Sequence, residues 1–200
     1  MRTWQQKGRR RGVINHPVLV LCLGNPGRTY ASTRHNAGFF VADRLHGLVG
    51  VRFRRRLFGR YSAAKYGCLT LAKPLTYMNR SGEVIESICR RYSLTRPMII
   101  AVFDQMDLPP GSVRLKRGGG DGGHRGLRSV FSHAQSDDIW KLALGIGRPG
   151  AGSTVVEHVL SEPDGDERVL IDDAVEVAAN TVLALCSRSP EELMNEVNGR

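Results

Sequence analysis

Four segments, far apart along the chain, each set an Asn, a His or an Asp beside a sharp backbone turn. Leu23-Gly24-Asn25-Pro26-Gly27 runs into Thr33-Arg34-His35-Asn36, and Lys73-Pro74-Leu75-Thr76-Tyr77-Met78-Asn79-Arg80-Ser81-Gly82 follows. Then come Phe103-Asp104-Gln105-Met106-Asp107-Leu108-Pro109-Pro110-Gly111 and Gly118-Gly119-Gly120-Asp121-Gly122-Gly123-His124. A His backed by an Asp can take a proton from water, and amide side chains can stabilise the oxyanion that develops. The serine-hydrolase pentapeptide Gly-x-Ser-x-Gly does not occur. The six histidines at 16, 35, 46, 124, 133 and 158 show neither HExxH nor metal-ligand spacing, so no metal cluster is expected. His35 with water as nucleophile is the chemistry that remains.

Gly118-x-Gly120-x-x-Gly123 formally matches a dinucleotide fingerprint. The segment before it, Val113-Arg114-Leu115-Lys116-Arg117, is half charged and late in the chain, whereas a Rossmann phosphate turn follows a buried strand that opens the fold. No Gly-Lys-Ser/Thr follows, which excludes a Walker loop. The stretch reads as a flexible glycine loop whose amides can approach a phosphate or an ester, and a nucleotide-dependent oxidoreductase is set aside.

These residues need a scaffold, and the hydrophobic pattern supplies one. Val18 to Leu23 is an apolar run stopped by Gly-Asn-Pro-Gly, which predicts a buried strand ending in a turn. Apolar spacing predicts a helix over Asn36 to Val49, a strand pair over Tyr61 to Tyr66 and Cys68 to Lys73, and a helix over Ser81 to Tyr92. Met98 to Phe103 is the clearest central strand, with Asp104 at its carboxyl end. An exposed strand over Ser112 to Arg117, a helix from His124 to His133 and a strand over Trp140 to Ile146 follow. Thr154 to Leu160 and Asp166 to Ser187 read as helices, and Pro190 opens a short last one. This alternation predicts a single α/β domain with a central sheet sandwiched between helices. In open α/β sheets ligands sit beyond the carboxyl ends of the strands, where Asn25 and Asp104 fall.

Two hundred residues at 41% hydrophobic suit one domain. Cys22, Cys68, Cys89 and Cys186 lack CxxC spacing and lie in apolar or periodic runs, so they are expected to be buried reduced thiols, and the protein to be cytoplasmic. No apolar run is long enough to span a bilayer, and the basic start from Met1 to Gly12 lacks the apolar stretch of a signal peptide. Residues 1 to 150 hold 26 Lys or Arg against 8 Asp or Glu, whereas residues 151 to 200 hold 3 against 11. Of the 29 cations 24 are Arg, which suits bidentate phosphate contact, so the basic part is expected to attract a nucleic acid. Residues 1–16, with Arg9-Arg10-Arg11, read as a disordered basic tail adding non-specific attraction, and 17–200 as the folded domain. The run Arg52-Phe53-Arg54-Arg55-Arg56 reads as a solvated face.

Taken together, LGNPGRTYASTRHNAGF, KPLTYMNRSG, DQMDLPPG, GGDGGHRGLRS and LGIGRPG, spread from about Val18 to Gly150, resemble the bacterial-type peptidyl-tRNA hydrolase family. The resemblance implies a mixed central sheet and hydrolysis of the ester joining a peptide to the terminal ribose of tRNA. It implies peptidyl-tRNA as partner, no metal or organic cofactor, and, in our reading, a monomer. Carried over by position, His35 is the general base and Asp104 its carboxylate partner, with Asn25 and Asn79 the amides near the scissile bond. Tyr30, Tyr77 and Met78 match positions along the peptide channel or near the terminal adenosine, and Lys116, His124 and Arg125 match positions that bind substrate. Two positions depart from the family pattern: Arg125 stands where Asn usually follows the loop His, and Ala143 where an Arg commonly helps clamp a tRNA phosphate. The rival reading is an RNA-binding relative on the same scaffold with little hydrolase activity, of the kind recruited to splicing.

Overall fold

The computed structural model describes residues 17–55 and 59–199. The tail read over residues 1–16, and Arg56 at the end of the charge run, lie outside the described residues. Strand β1 (Val18–Cys22) leads through two 3-10 turns, Arg28–Tyr30 and Arg34–Asn36, into α1 (Ala37–Val49). After β2 (Arg54–Arg55), β3 (Tyr61–Tyr66) and β4 (Leu69–Pro74), a 3-10 run over Met78–Val84 enters α2 (Ile85–Tyr92). Next come β5 (Met98–Gln105), β6 (Val113–Arg117), α3 (Arg125–Ala134) and β7 (Trp140–Gly145). The chain closes with α4 (Val155–Leu160), α5 (Gly165–Ala184) and α6 (Pro190–Asn198).

The seven strands form one mixed sheet in the order β2-β3-β4-β1-β5-β7-β6. Its middle, β4-β1-β5-β7, is parallel, and β2, β3 and β6 add antiparallel edges. Alternation along β1 separates the two faces of the core. Val18, Val20 and Cys22 join a cluster with residues of α1, α5 and α6, while Leu19 and Leu21 join one with residues of α2 and α3. Helix α1 lies hard against the sheet at Gly38, where a Cβ would sit 2.5 Å from the backbone nitrogen and oxygen of Leu23 and would collide with the Val102 carbonyl oxygen.

The structure adjusts several sequence expectations. The helix expected from Ser81 starts as a tight 3-10 run because Gly82 packs directly on the backbone of Ser129, where a Cβ would meet the carbonyl carbon at 2.6 Å. His124 does not open a helix but caps one, its Nδ1 accepting the Leu127 amide at 3.2 Å. Arg54 and Arg55 keep their side chains in water as expected, yet their backbone pairs with Ala63 and Ser62 as an edge strand. All four cysteines are free, but only Cys22 is buried; the other three are half-buried.

Candidate active site

The polar residues gather over the carboxyl ends of the parallel strands. β1 delivers Asn25, the turn after β4 delivers Tyr77, Met78 and Asn79, and β5 carries Asp104 near its end. These residues, with His35, Gln105, Met106, His124 and Arg125, line a cleft of about 480 Å³.

At its base one carboxylate serves two histidines. His35 Nδ1 lies 2.9 and 3.0 Å from the two oxygens of Asp104, and His124 Nε2 lies 3.1 Å from Oδ1. Hydrogen-bond logic fixes both tautomers. His124 accepts the Leu127 amide at Nδ1, so its proton sits on Nε2 and points at Asp104. An ionised Asp104 only accepts, so His35 donates from Nδ1 and keeps the Nε2 lone pair as a base.

The electrostatics fit that arrangement. Burial raises the Asp104 pKa, but the charges and hydrogen bonds of both histidines outweigh it and hold the carboxyl well below the usual range. Burial works against charging His35, and Arg125 acts in the same sense. Asp104 overcomes both and leaves the ring's pKa above its ordinary 6.5. The pairing corrects the expectation that no metal-type cluster exists: the ligand atoms of His35, Asp104 and His124 lie within 4.8 Å of one another. Sequence spacing hid it because the partners stand 69 and 20 residues from Asp104. Each ring nitrogen facing Asp104 carries a proton in this network, so the trio is built as a hydrogen-bonded hub.

Asn25 is held from three sides. Its amide nitrogen donates to Asn36 Oδ1 at 2.7 Å, its carbonyl accepts Asn36 Nδ2 at 3.0 Å, and its Oδ1 accepts the Met78 amide at 2.7 Å. With Oδ1 engaged, Asn25 offers the cleft only its NH2, a donor suited to a carbonyl oxygen or an oxyanion. Asn36 was not singled out by sequence; its side chain does for Asn25 what a cap would have done for α1. Asn79 stands exposed at the cleft wall.

The remaining expectations divide. Met78 is buried at 4% exposure beneath the cleft, and Tyr77 is 60% exposed above it. Tyr30 does not line the cleft but backs Tyr77 edge to face, with ring centres 6.5 Å apart. Lys116 lies outside the lining, exposed on edge strand β6. Opposite it in register, Lys141 is fully buried, and its ammonium donates to the carbonyls of Gly119 and Gly120 at 2.7 and 2.9 Å. That bond pins the glycine loop from below, and Ala143, two residues on, is buried in the same strand. The apolar wall of the cleft, Val155, Val156, Val159 and Leu160 of α4, was likewise not foreseen.

A sequence model of the peptidyl-tRNA hydrolase family matches residues 19–200. The chain belongs to that family. It is 44% identical over 164 residues to the peptidyl-tRNA hydrolase of Azoarcus sp., covering 81% of this chain and 75% of the relative. It is 44% identical over 176 residues to that of Halorhodospira halophila, covering 86% and 90%. The crystal structure of peptidyl-tRNA hydrolase from Acinetobacter baumannii superposes with a TM-score of 0.82 at 35% identity, over 90% of this chain and 94% of that one. The mixed-sheet α/β domain is therefore that of the peptidyl-tRNA hydrolase family.

Proposed function

We infer that this chain hydrolyses the ester joining peptide to tRNA in peptidyl-tRNA and frees the tRNA for reuse in translation. The observation that carries the reading is the His35–Asp104 pair, with the base nitrogen left free, in a cleft of a family member's fold. His35 Nε2 takes a proton from water as the water attacks the ester carbonyl, and Asp104 stabilises the imidazolium that forms. The Asn25 NH2 and the Asn79 amide stabilise the oxyanion and hold the peptide; His124 completes the Asp104 hub. The ring proton then passes to the departing ribose hydroxyl, so the base finishes the cycle neutral.

The folded domain from residue 17 onward receives the acceptor end of tRNA at Arg125 and Lys116, and the basic tail before it adds attraction. Tyr77, with Tyr30 behind it, offers an exposed ring to the terminal base or the peptide. The protein acts as a cytoplasmic monomer. Among the described residues no helix is long and apolar enough to cross a membrane. The RNA-binding reading without hydrolysis has no observation in its favour, since a pure binder needs no base with a fixed tautomer. Incubation with N-acetyl-aminoacyl-tRNA, with free aminoacyl-tRNA as control, tests the assignment. Release of the acyl group from the first substrate alone is expected, and tight tRNA binding without release would overturn it.

A further inference from the structure

The apolar wall of the cleft is a helix of only six residues, α4, with Val155 49%, Val156 54% and Leu160 37% exposed. So short a helix has no stability of its own, and its position must come from tertiary bonds. Within it only Val159 is buried in the core. His158 Nε2 ties its middle to the Ile146 and Gly147 carbonyls at 3.1 and 2.9 Å, and its carboxyl end is tied to the residue next to His35. The Arg34 side chain is 9% exposed, and its guanidinium reaches back across 133 residues to form a two-pronged pair with Glu167 on α5: Nε to Oε1 at 2.9 Å, and Nη2 to Oε2. Its Nη1 donates to Ser161 Oγ at 2.6 Å, to the Glu162 carbonyl at 2.9 Å and to the His158 carbonyl at 3.4 Å. The Arg34 backbone amide adds a bond to the Ser161 carbonyl at 3.1 Å.

We propose that Arg34 is a positioning residue that locks α4 to the turn carrying His35 and so sets where apolar side chains of the substrate's peptide lie relative to the ester. The proposal rests on the peptidyl-tRNA reading above. A buried guanidinium is stable only with its donors well matched, and here each of its three nitrogens bonds into one segment, 158–167. The base and the wall are therefore held through neighbouring atoms of a single residue. A Lys at 34 has no fork and can meet Glu167 or the carbonyls of His158 and Glu162, not both in this geometry.

The test compares Arg34→Lys with the wild-type protein on N-acetyl-glycyl-tRNA, which has no side chain to reach α4, and on a peptidyl-tRNA ending in several Leu residues. The expected result is a rise of about tenfold in KM for the Leu-rich substrate alone, the scale of a lost charge-assisted hydrogen bond. kcat on both, and the pH at which kcat inflects, stay put because His35–Asp104 is intact. Equal loss on the two substrates, or none on either, overturns the proposal. Amide exchange over residues 155–160 gives a readout independent of activity, and it should speed up by about tenfold or more in the variant. If the wild-type protein hydrolyses neither substrate, the functional reading fails, while unchanged exchange would still overturn the lock. Should Arg34→Lys not fold, Glu167→Gln, which keeps the shape and loses the charge, is expected to move the same readouts in the same direction but less, and unchanged values in it would overturn the proposal.

Discussion

The inside of the cleft and its outer rim are built on opposite terms. Inside, Asp104 is 3% exposed and Asn25 6%, and the Asp104 carboxylate and Asn25 Oδ1 are bonded to histidine rings or backbone, which aims His35 Nε2 and the Asn25 NH2 at the cleft. Arg125 at the cleft wall and Lys116 beyond the lining are exposed and form no ion pair with any described residue. The protein settles the inner geometry before substrate arrives, whereas the outer cations keep their bonding capacity for whatever anion comes. Buried polar groups left unmatched are costly, so the inner carboxylate and amide oxygen are bonded within the fold and only the groups that face the cleft are kept for water and substrate; solvated cations carry no such cost. Inner changes should therefore act on turnover, and outer changes on attraction.

Removing the base is the largest break. His35→Ala should lower kcat by about a hundredfold or more with little change in tRNA affinity, because general-base catalysis is worth that much. Near-normal turnover would end the assignment. Asp104→Asn comes next, with a loss of at least about tenfold, since the amide neither enforces the tautomer nor stabilises the cation. It also has a pH signature. The base works when neutral, so kcat rises with pH through the His35 pKa, which Asp104 raises. Removing the carboxylate should move that limb to lower pH, and an unmoved limb would show that Asp104 is not the partner.

Arg125 tests the border between the two regions. It carries no acceptor, so it cannot orient water as an Asn carbonyl can. Arg125→Asn is expected to raise plateau kcat while KM stays similar or rises. Its cation lowers the His35 pKa, so its loss should move the pH limb upward, opposite to Asp104→Asn. A fall in plateau kcat in a folded variant would make Arg125 part of the inner machinery. The smallest effect belongs to the outermost cation. Lys116→Ala should leave kcat alone and flatten the log-log salt dependence of tRNA binding by about 0.7 to 0.9, one phosphate contact. An unchanged slope would remove Lys116 from the interface.

The sequence was most legible where function leaves short linear marks. The turns around Asn25, Asn79, Asp104 and the glycine loop could be read because Gly, Pro and amide residues crowd at strand ends, and the strands because apolar runs bound them. Illegible were contacts made across sequence by residues with no local signature. Asn36 looks like the start of α1 but spends its side chain on Asn25. Lys141 reads as one charge in an apolar strand, and only the fold shows the glycine carbonyls above it. The α4 wall was read as an ordinary helix, since its exposed valines gain meaning only from the loops they face. Tyr30 meets the cleft residues through its edge-to-face contact with Tyr77, a pairing that no local spacing announces.

Gly38 ties mutational tolerance to this architecture. It stands three positions after His35, where α1 comes down onto the strands beside Leu23 and Val102. This close seam between helix and sheet is thus also the footing of the base. A methyl group there would meet backbone on three sides, and lifting α1 to make room would carry His35 away from Asp104, which is anchored in the strand beneath. In such a chain a lineage exploring small-to-large changes at this seam would lose stability and turnover together, so the footing of the base is guarded by the same selection that guards the fold.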